Sequence, residues 1–150
     1  MNIITLVLYV AGAFALVLGV LHLSFPERFG IRAAMLGEGP PVSPFRLWFY
    51  RYDFGRRELF GVVCIMNYCV SFTIFSIGIA DVLASRWLGT IGGALLAGWV
   101  AGFWFIRAGT QLFLGKRRGD WFIILWFALL AIVHCLAALQ SYAGLRGPVD

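Results

Sequence analysis

Charge is the first thing this chain is short of. Only 13% of its 150 residues are Asp, Glu, Lys or Arg, against about 25% in a soluble domain, so it has too little charge to cover itself with a water-facing surface. Histidine is rarer still. His22 and His134 are the only two, and no His-x-x-x-His or Glu-x-x-His pair is present. A metal enzyme needs three or four convergent ligands, so a metal centre is not expected. Cys64, Cys69 and Cys135 make an odd set inside apolar runs, with no Cys-x-x-Cys pair. That excludes a disulfide framework and leaves them as small apolar core residues. Cys135 follows His134 directly, so on a helix the two point apart. No nucleophile elbow supports acyl chemistry, and no Walker loop supports phosphate binding. The start of the chain lacks a basic n-region, and its first apolar run exceeds the length of a signal-peptide core, so that run is expected to be retained. The two halves are not visibly similar, which argues against the inverted repeats of many transporters.

What the sequence does have is apolar residues, 61% of the total, with a mean hydropathy of +0.88. They gather in four runs, at about 3–24, 59–80, 87–106 and 121–142. Each is near the ~20 residues that cross a ~30 Å hydrocarbon layer as a helix. Lipid-exposed backbone must satisfy its own hydrogen bonds, so the spans are helical. Ten of the twelve Lys and Arg residues fall on one side: Arg28, Arg32, Arg46, Arg51, Arg56, Arg57, Arg107, Lys116, Arg117 and Arg118. Arg86 and Arg146 alone fall on the other. By the positive-inside rule the connections after spans one and three are cytoplasmic and both termini face out. The net charge of +5 fits the anionic cytoplasmic leaflet, where each basic group contributes roughly 1 kcal/mol. Nucleic acid is not an expected partner, because no soluble domain displays these residues.

The expected fold is therefore an all-α, integral membrane four-helix antiparallel bundle, N-out and C-out, forming one domain over residues 1–150. Short connections make spans two and three, and spans three and four, antiparallel neighbours. The second of these connections, 115–120, is a basic turn that reads as a topology signal. The first cytoplasmic loop, 25–58, is long and carries four of the five prolines. Its Gly- and Pro-rich middle, 36–44, is expected to be non-helical. Residues 45–54 interleave aromatics with charge, a pattern suited to the headgroup level, so the loop is expected to be an ordered cap. Small or polar residues form stripes: Gly12, Ala15, Gly19 and His22; Cys64, Asn67, Ser71 and Gly78; Gly89, Gly93, Ala97 and Ala101, with a second pair at Gly98 and Gly102; and Phe127, Ala131, His134, Ala138 and Ser141. Such spacing lets membrane helices approach closely, so the stripes are expected inside.

Ionisable groups within spans usually face an interior or a cavity. His22, Arg57, Glu58, Trp104, Arg107 and Gln111 share one depth at the cytoplasmic ends of three spans, and are the expected ligand-binding set together with His134. The alternatives are structural: Arg107 snorkels to the headgroups, and Glu58 favours a helix N-terminus. His134 lies ~20 Å below the cytoplasmic edge, roughly 15 Å deeper than His22 by helical rise. A haem held by both histidines of one protomer is not expected on that ground. A single-histidine haem or a quinone remains compatible with the sequence. The bland expectation for His134 is a neutral ring bonded to Asn67 or a serine across the bundle. Polar groups this sparse point to a non-catalytic membrane protein that binds a lipidic small molecule, or to an accessory subunit. The alternatives are a small enzyme acting on a lipid-like substrate at the cytoplasmic interface, and a transporter working as a dimer. Expected partners are membrane lipids and either a membrane subunit or a second copy. The expected location is the bacterial inner (plasma) membrane.

Overall fold

A computed structural model of the chain describes residues 2–37, 45–47, 50–52, 55–112 and 118–145. Among these residues, seven helices and one small hairpin follow in order: α1 (Ile3–Leu23), α2 (Phe25–Arg28), α3 (Ile31–Leu36), β1 (Phe45–Leu47), β2 (Tyr50–Tyr52), α4 (Arg56–Val82), α5 (Ala84–Trp87), α6 (Ile91–Gln111) and α7 (Arg118–Leu145). Helices α1, α4, α6 and α7 are long and apolar enough to cross a membrane. Their large side chains Val10, Phe72, Leu95, Phe105, Phe122 and Leu125 are exposed. A soluble monomer rarely tolerates so much contiguous apolar surface, whereas lipid solvates it.

The helix ends differ from the sequence expectation by a few residues, each for a local reason. Helix α4 runs on past the expected stop at Ala80 to Val82, because Asp81 is buried and paired rather than solvated. Trp87 does not open the third span. It sits in the one-turn α5, where its Nε1 donates to the Ala80 carbonyl at 2.7 Å. Gly89 then turns the chain with φ +83°, a region in which a Cβ is penalised. Thr90 caps α6, its Oγ1 accepting from the Gly93 N–H at 2.9 Å and donating to the Trp87 carbonyl at 2.7 Å. So Gly89 belongs to the connector, not to the helical stripe. Pro26 lies in the first turn of α2, where its missing N–H costs nothing.

Residues 25–58 were expected as a loop. They contain the helices α2 and α3, the hairpin and the start of α4. Phe45 pairs with Tyr52, Arg46 with Arg51 and Leu47 with Tyr50, antiparallel, as suits strand-favouring aromatic residues. Most of the Gly- and Pro-rich middle, 38–44, lies outside the described residues, as do 48–49, 53–54 and most of the basic turn 115–119.

The chain divides into two compact units. Unit one holds residues 1–14 and 77–150, and unit two holds 15–76. In unit one, α6 buries Gly93, Ala97, Val100, Ala101, Trp104, Ala108 and Gln111 at three-four spacing. Helix α7 buries Phe127, Leu130, Ala131, His134, Ala137 and Ser141. The start of α6 is tied to the end of α7, since the Gly89 N–H donates to Ser141 Oγ at 3.1 Å. The end of α6 is tied to the start of α7, with Gln111 Nε2 3.5 Å from Asp120 Oδ1. Gly12 brings α1 against the end of α4. A Cβ there would stand 2.8 Å from Asp81 Cβ and 2.9 Å from the Gly78 carbonyl oxygen. Gly93 is equally constrained, because a Cβ on it would collide with the Trp87 carbonyl.

In unit two, α1 approaches α4 at Gly19, where a Cβ would meet Phe75 at 3.2 Å. Asn67 Nδ2 donates to the His22 carbonyl at 2.9 Å. Arg56 Nη1 donates to the Gly37 carbonyl at 2.9 Å, bringing the start of α4 to the end of α3.

Candidate functional site

The deepest polar contact is between residues 53 positions apart. His134 is fully buried at 0% exposure, and Asp81 shows 1%. The His134 Nε2 lies 3.0 Å from Asp81 Oδ1 and 3.1 Å from Oδ2, and Nδ1 lies 2.7 Å from the Leu130 carbonyl oxygen. A carbonyl only accepts, so Nδ1 carries a hydrogen. One further proton must then lie between Nε2 and the carboxyl, because two facing lone pairs would repel. Either a carboxylic acid donates to a neutral imidazole, or an imidazolium donates to a carboxylate. The net charge is zero in both cases, which is how an acid and a base tolerate a helix interior where a lone charge is expensive. This corrects two expectations. Asp81 does not fall in the connection between the expected spans 59–80 and 87–106, and His134 bonds neither Asn67 nor a serine, since its two ring nitrogens face the Leu130 carbonyl and Asp81. With both ring nitrogens engaged, His134 has none left for a haem iron.

Toward the other end of unit one, three of the expected residues share a stripe of α6. Trp104 is 1% exposed and stacks on Phe127, with centroids 5.3 Å apart and planes 22° apart. The Arg107 guanidinium stands 5.6 Å from the centroid of the same Phe127 ring. Gln111, one turn on, is buried beside Asp120. Trp104 Nε1 and Arg107 Nε are buried donors with no hydrogen-bond partner among the described residues. No carboxylate of the described residues pairs with Arg107 either. The Arg107 guanidinium thus stands over an aromatic ring, one turn of α6 from Trp104.

The remaining expected residues lie in unit two. His22 is buried, its ring 4.2 Å from that of Phe25. Arg57 and Glu58 are exposed. Glu58 Oε2 accepts from the Gly55 N–H at 2.7 Å, so its carboxylate serves as a cap at the α4 N-terminus, the structural role foreseen for it.

No family model, curated protein or solved structure matches this chain.

Two chemistries follow from unit one. The Trp104–Arg107 stripe holds two unpartnered N–H donors against the Phe127 ring. The Asp81–His134 pair holds one shared proton and binds α4 to α7. Among the described residues, no three His, Cys, Asp or Glu side chains converge as a metal would need. Sequence reasoning found the donor stripe through its intramembrane arginine. It missed Asp81, although Ser71, Ile74, Gly78 and Asp81 continue one three-four stripe of buried residues.

Proposed function

We propose that this chain is a non-catalytic integral membrane protein that binds a lipidic small molecule bearing oxygen acceptors, either a quinone carbonyl or an anionic lipid head. One observation carries the reading: Trp104 Nε1 and Arg107 Nε are buried donors without partners, on one stripe against Phe127. An unmade hydrogen bond at a buried donor costs about 1–3 kcal/mol, and an acceptor-bearing ligand recovers it. The basic residues support a setting in a bacterial inner membrane as an up-down-up-down antiparallel bundle with both termini outside. In that setting the Arg107 end of α6 faces the cytoplasm.

The test is a titration of the protein in lipid nanodiscs with a short-chain benzoquinone and a short-chain phosphatidic acid, read by tryptophan fluorescence. Saturable binding of either probe, lost in Arg107→Leu and weakened in Trp104→Phe, supports the reading. The phenylalanine keeps the stack and removes only the N–H. No saturable binding, or binding unchanged in Arg107→Leu, overturns it.

A second reading, an accessory subunit or a second copy of the chain as partner, is favoured by Gly98 and Gly102. These stand one turn apart on α6, exposed, and a Cβ on either would meet nothing within 4 Å. Close helix approach is the common use of such a pair. Replacing both with leucine should release a co-purifying partner or dissociate a dimer, and an unaltered assembly state would dismiss this reading.

A further inference from the structure

A cavity in unit one lies at the far end of α7 from the donor stripe, and its chemistry is different. It is an open cleft of about 570 Å³, within the range of small-molecule sites. Its polar lining comes from three elements: Asn2, Thr5 and Tyr9 at the start of α1, Ser85 on α5, and Gln140 on α7. Among the described residues, no charged side chain lines it. Asn2 Oδ1 is spent on the Ile4 N–H at 3.2 Å. The Thr5, Tyr9 and Ser85 hydroxyls and the Gln140 amide make no side-chain hydrogen bond among the described residues, and Gln140 Oε1 is buried without a partner. Thr5 is buried and Tyr9 and Gln140 are half-buried, and unspent polar groups are unusual in such places, where polar atoms are nearly always paired; Ser85 is exposed. Ser141, next to Gln140, is by contrast committed to Gly89.

The available groups set the ligand's chemistry. Three hydroxyls and a carboxamide each both donate and accept, so the complement is a group that does the same at several points. With no cation in the lining, an anion is disfavoured; Arg86 neighbours Ser85 in sequence but does not line the cleft. We propose that this cleft binds an uncharged polyhydroxylated group, a glycerol or sugar, through Thr5, Tyr9, Ser85 and Gln140. Such a group comes either as the head of a neutral lipid or as a free polyol. The site is independent of the acceptor-binding stripe at Trp104 and Arg107.

Gly144 supplies the decisive variant. A Cβ there meets only Gly89 Cα, at 3.8 Å, an ordinary contact, so Gly144→Ala folds and serves as the control. Gly144→Leu extends into the cleft. Binding to the whole chain in phosphatidylcholine nanodiscs is measured by native mass spectrometry and calorimetry. The probes are dioctanoylglycerol, octyl glucoside, glucose and dioctanoyl phosphatidic acid. The expected result is saturable one-to-one binding of a neutral hydroxylated probe, and glucose against octyl glucoside assigns a free polyol or a lipid head. Gly144→Leu abolishes binding, Gln140→Leu weakens it by about fivefold to tenfold as one or two hydrogen bonds are lost, and Arg107→Leu leaves it unchanged. Phosphatidic acid binding to Arg107→Leu, in which the acceptor stripe is removed, as tightly as the neutral probes overturns the proposal. So does an affinity unmoved by both Gly144→Leu and Gln140→Leu, or saturable binding of none of the neutral probes.

Discussion

Asp81 and His134 give the sharpest test of the interior. Leucine has the branching of aspartate, with two methyls in place of the two carboxyl oxygens, so Asp81→Leu changes polarity far more than shape. It leaves His134 Nε2 facing hydrocarbon, while Nδ1–H keeps the Leu130 carbonyl at 2.7 Å. The cost is that of one buried unsatisfied acceptor, about 1–3 kcal/mol. His134→Leu strands a carboxyl instead, and breaking a buried pair from one side costs roughly 3–5 kcal/mol. Asp81→Asn behaves differently. Its Nδ2–H can donate to Nε2 in the geometry now held at 3.0 Å, so its cost stays near or below about 1 kcal/mol. The double variant Asp81→Leu/His134→Leu removes both partners and should be less destabilised than His134→Leu alone, since apolar replacements of buried pairs are often neutral or better. Equilibrium unfolding in bicelles, followed by circular dichroism over the four proteins, gives the order. Two results refute the reasoning: Asp81→Asn as damaging as His134→Leu, or a double variant whose loss equals the sum of the singles.

Other perturbations probe the close approaches. Gly12→Ala places a Cβ 2.8 Å from Asp81 Cβ and 2.9 Å from the Gly78 carbonyl oxygen, so it should cost about 1–3 kcal/mol as overpacking does, read by the same unfolding assay. Gly89→Ala meets open space but must hold φ +83°. Its loss should be about 1–2 kcal/mol from backbone conformation alone, and Gly98→Ala, in a helix with no neighbour, should be neutral or stabilising.

The four spans were legible because lipid solvation demands long apolar runs, and hydropathy reads such runs without reference to tertiary contacts. The inward stripes were legible for a related reason. Gly12, Ala15, Gly19 and His22 are all buried, as are Gly93, Ala97, Ala101, Phe127, Ala131, His134 and Ser141, because small or polar residues at three-four spacing let helices approach closely; Cys64 and Asn67 are only half-buried, and the pair Gly98 and Gly102, also expected inside, is exposed. Asp81 was misread because a carboxylate at the end of an apolar run ordinarily marks the membrane boundary. Its burial depends on a histidine 53 residues away, and periodicity carries no record of pairing between helices. The cleft left no trace for the same reason: Thr5, Ser85 and Gln140 are unremarkable singly and become a site only when three elements meet. Trp104 and Arg107 were found because both lie on one helix, one turn apart, where spacing alone places them together.

The most direct test of the central claim is native mass spectrometry of the protein released gently from its own membrane, with an absorption spectrum of the same sample. The account predicts a retained small molecule of defined mass bearing carbonyl or anionic oxygens, present on the wild-type chain and absent from Arg107→Leu. A bare chain, or the same molecule retained after Arg107→Leu, would contradict it.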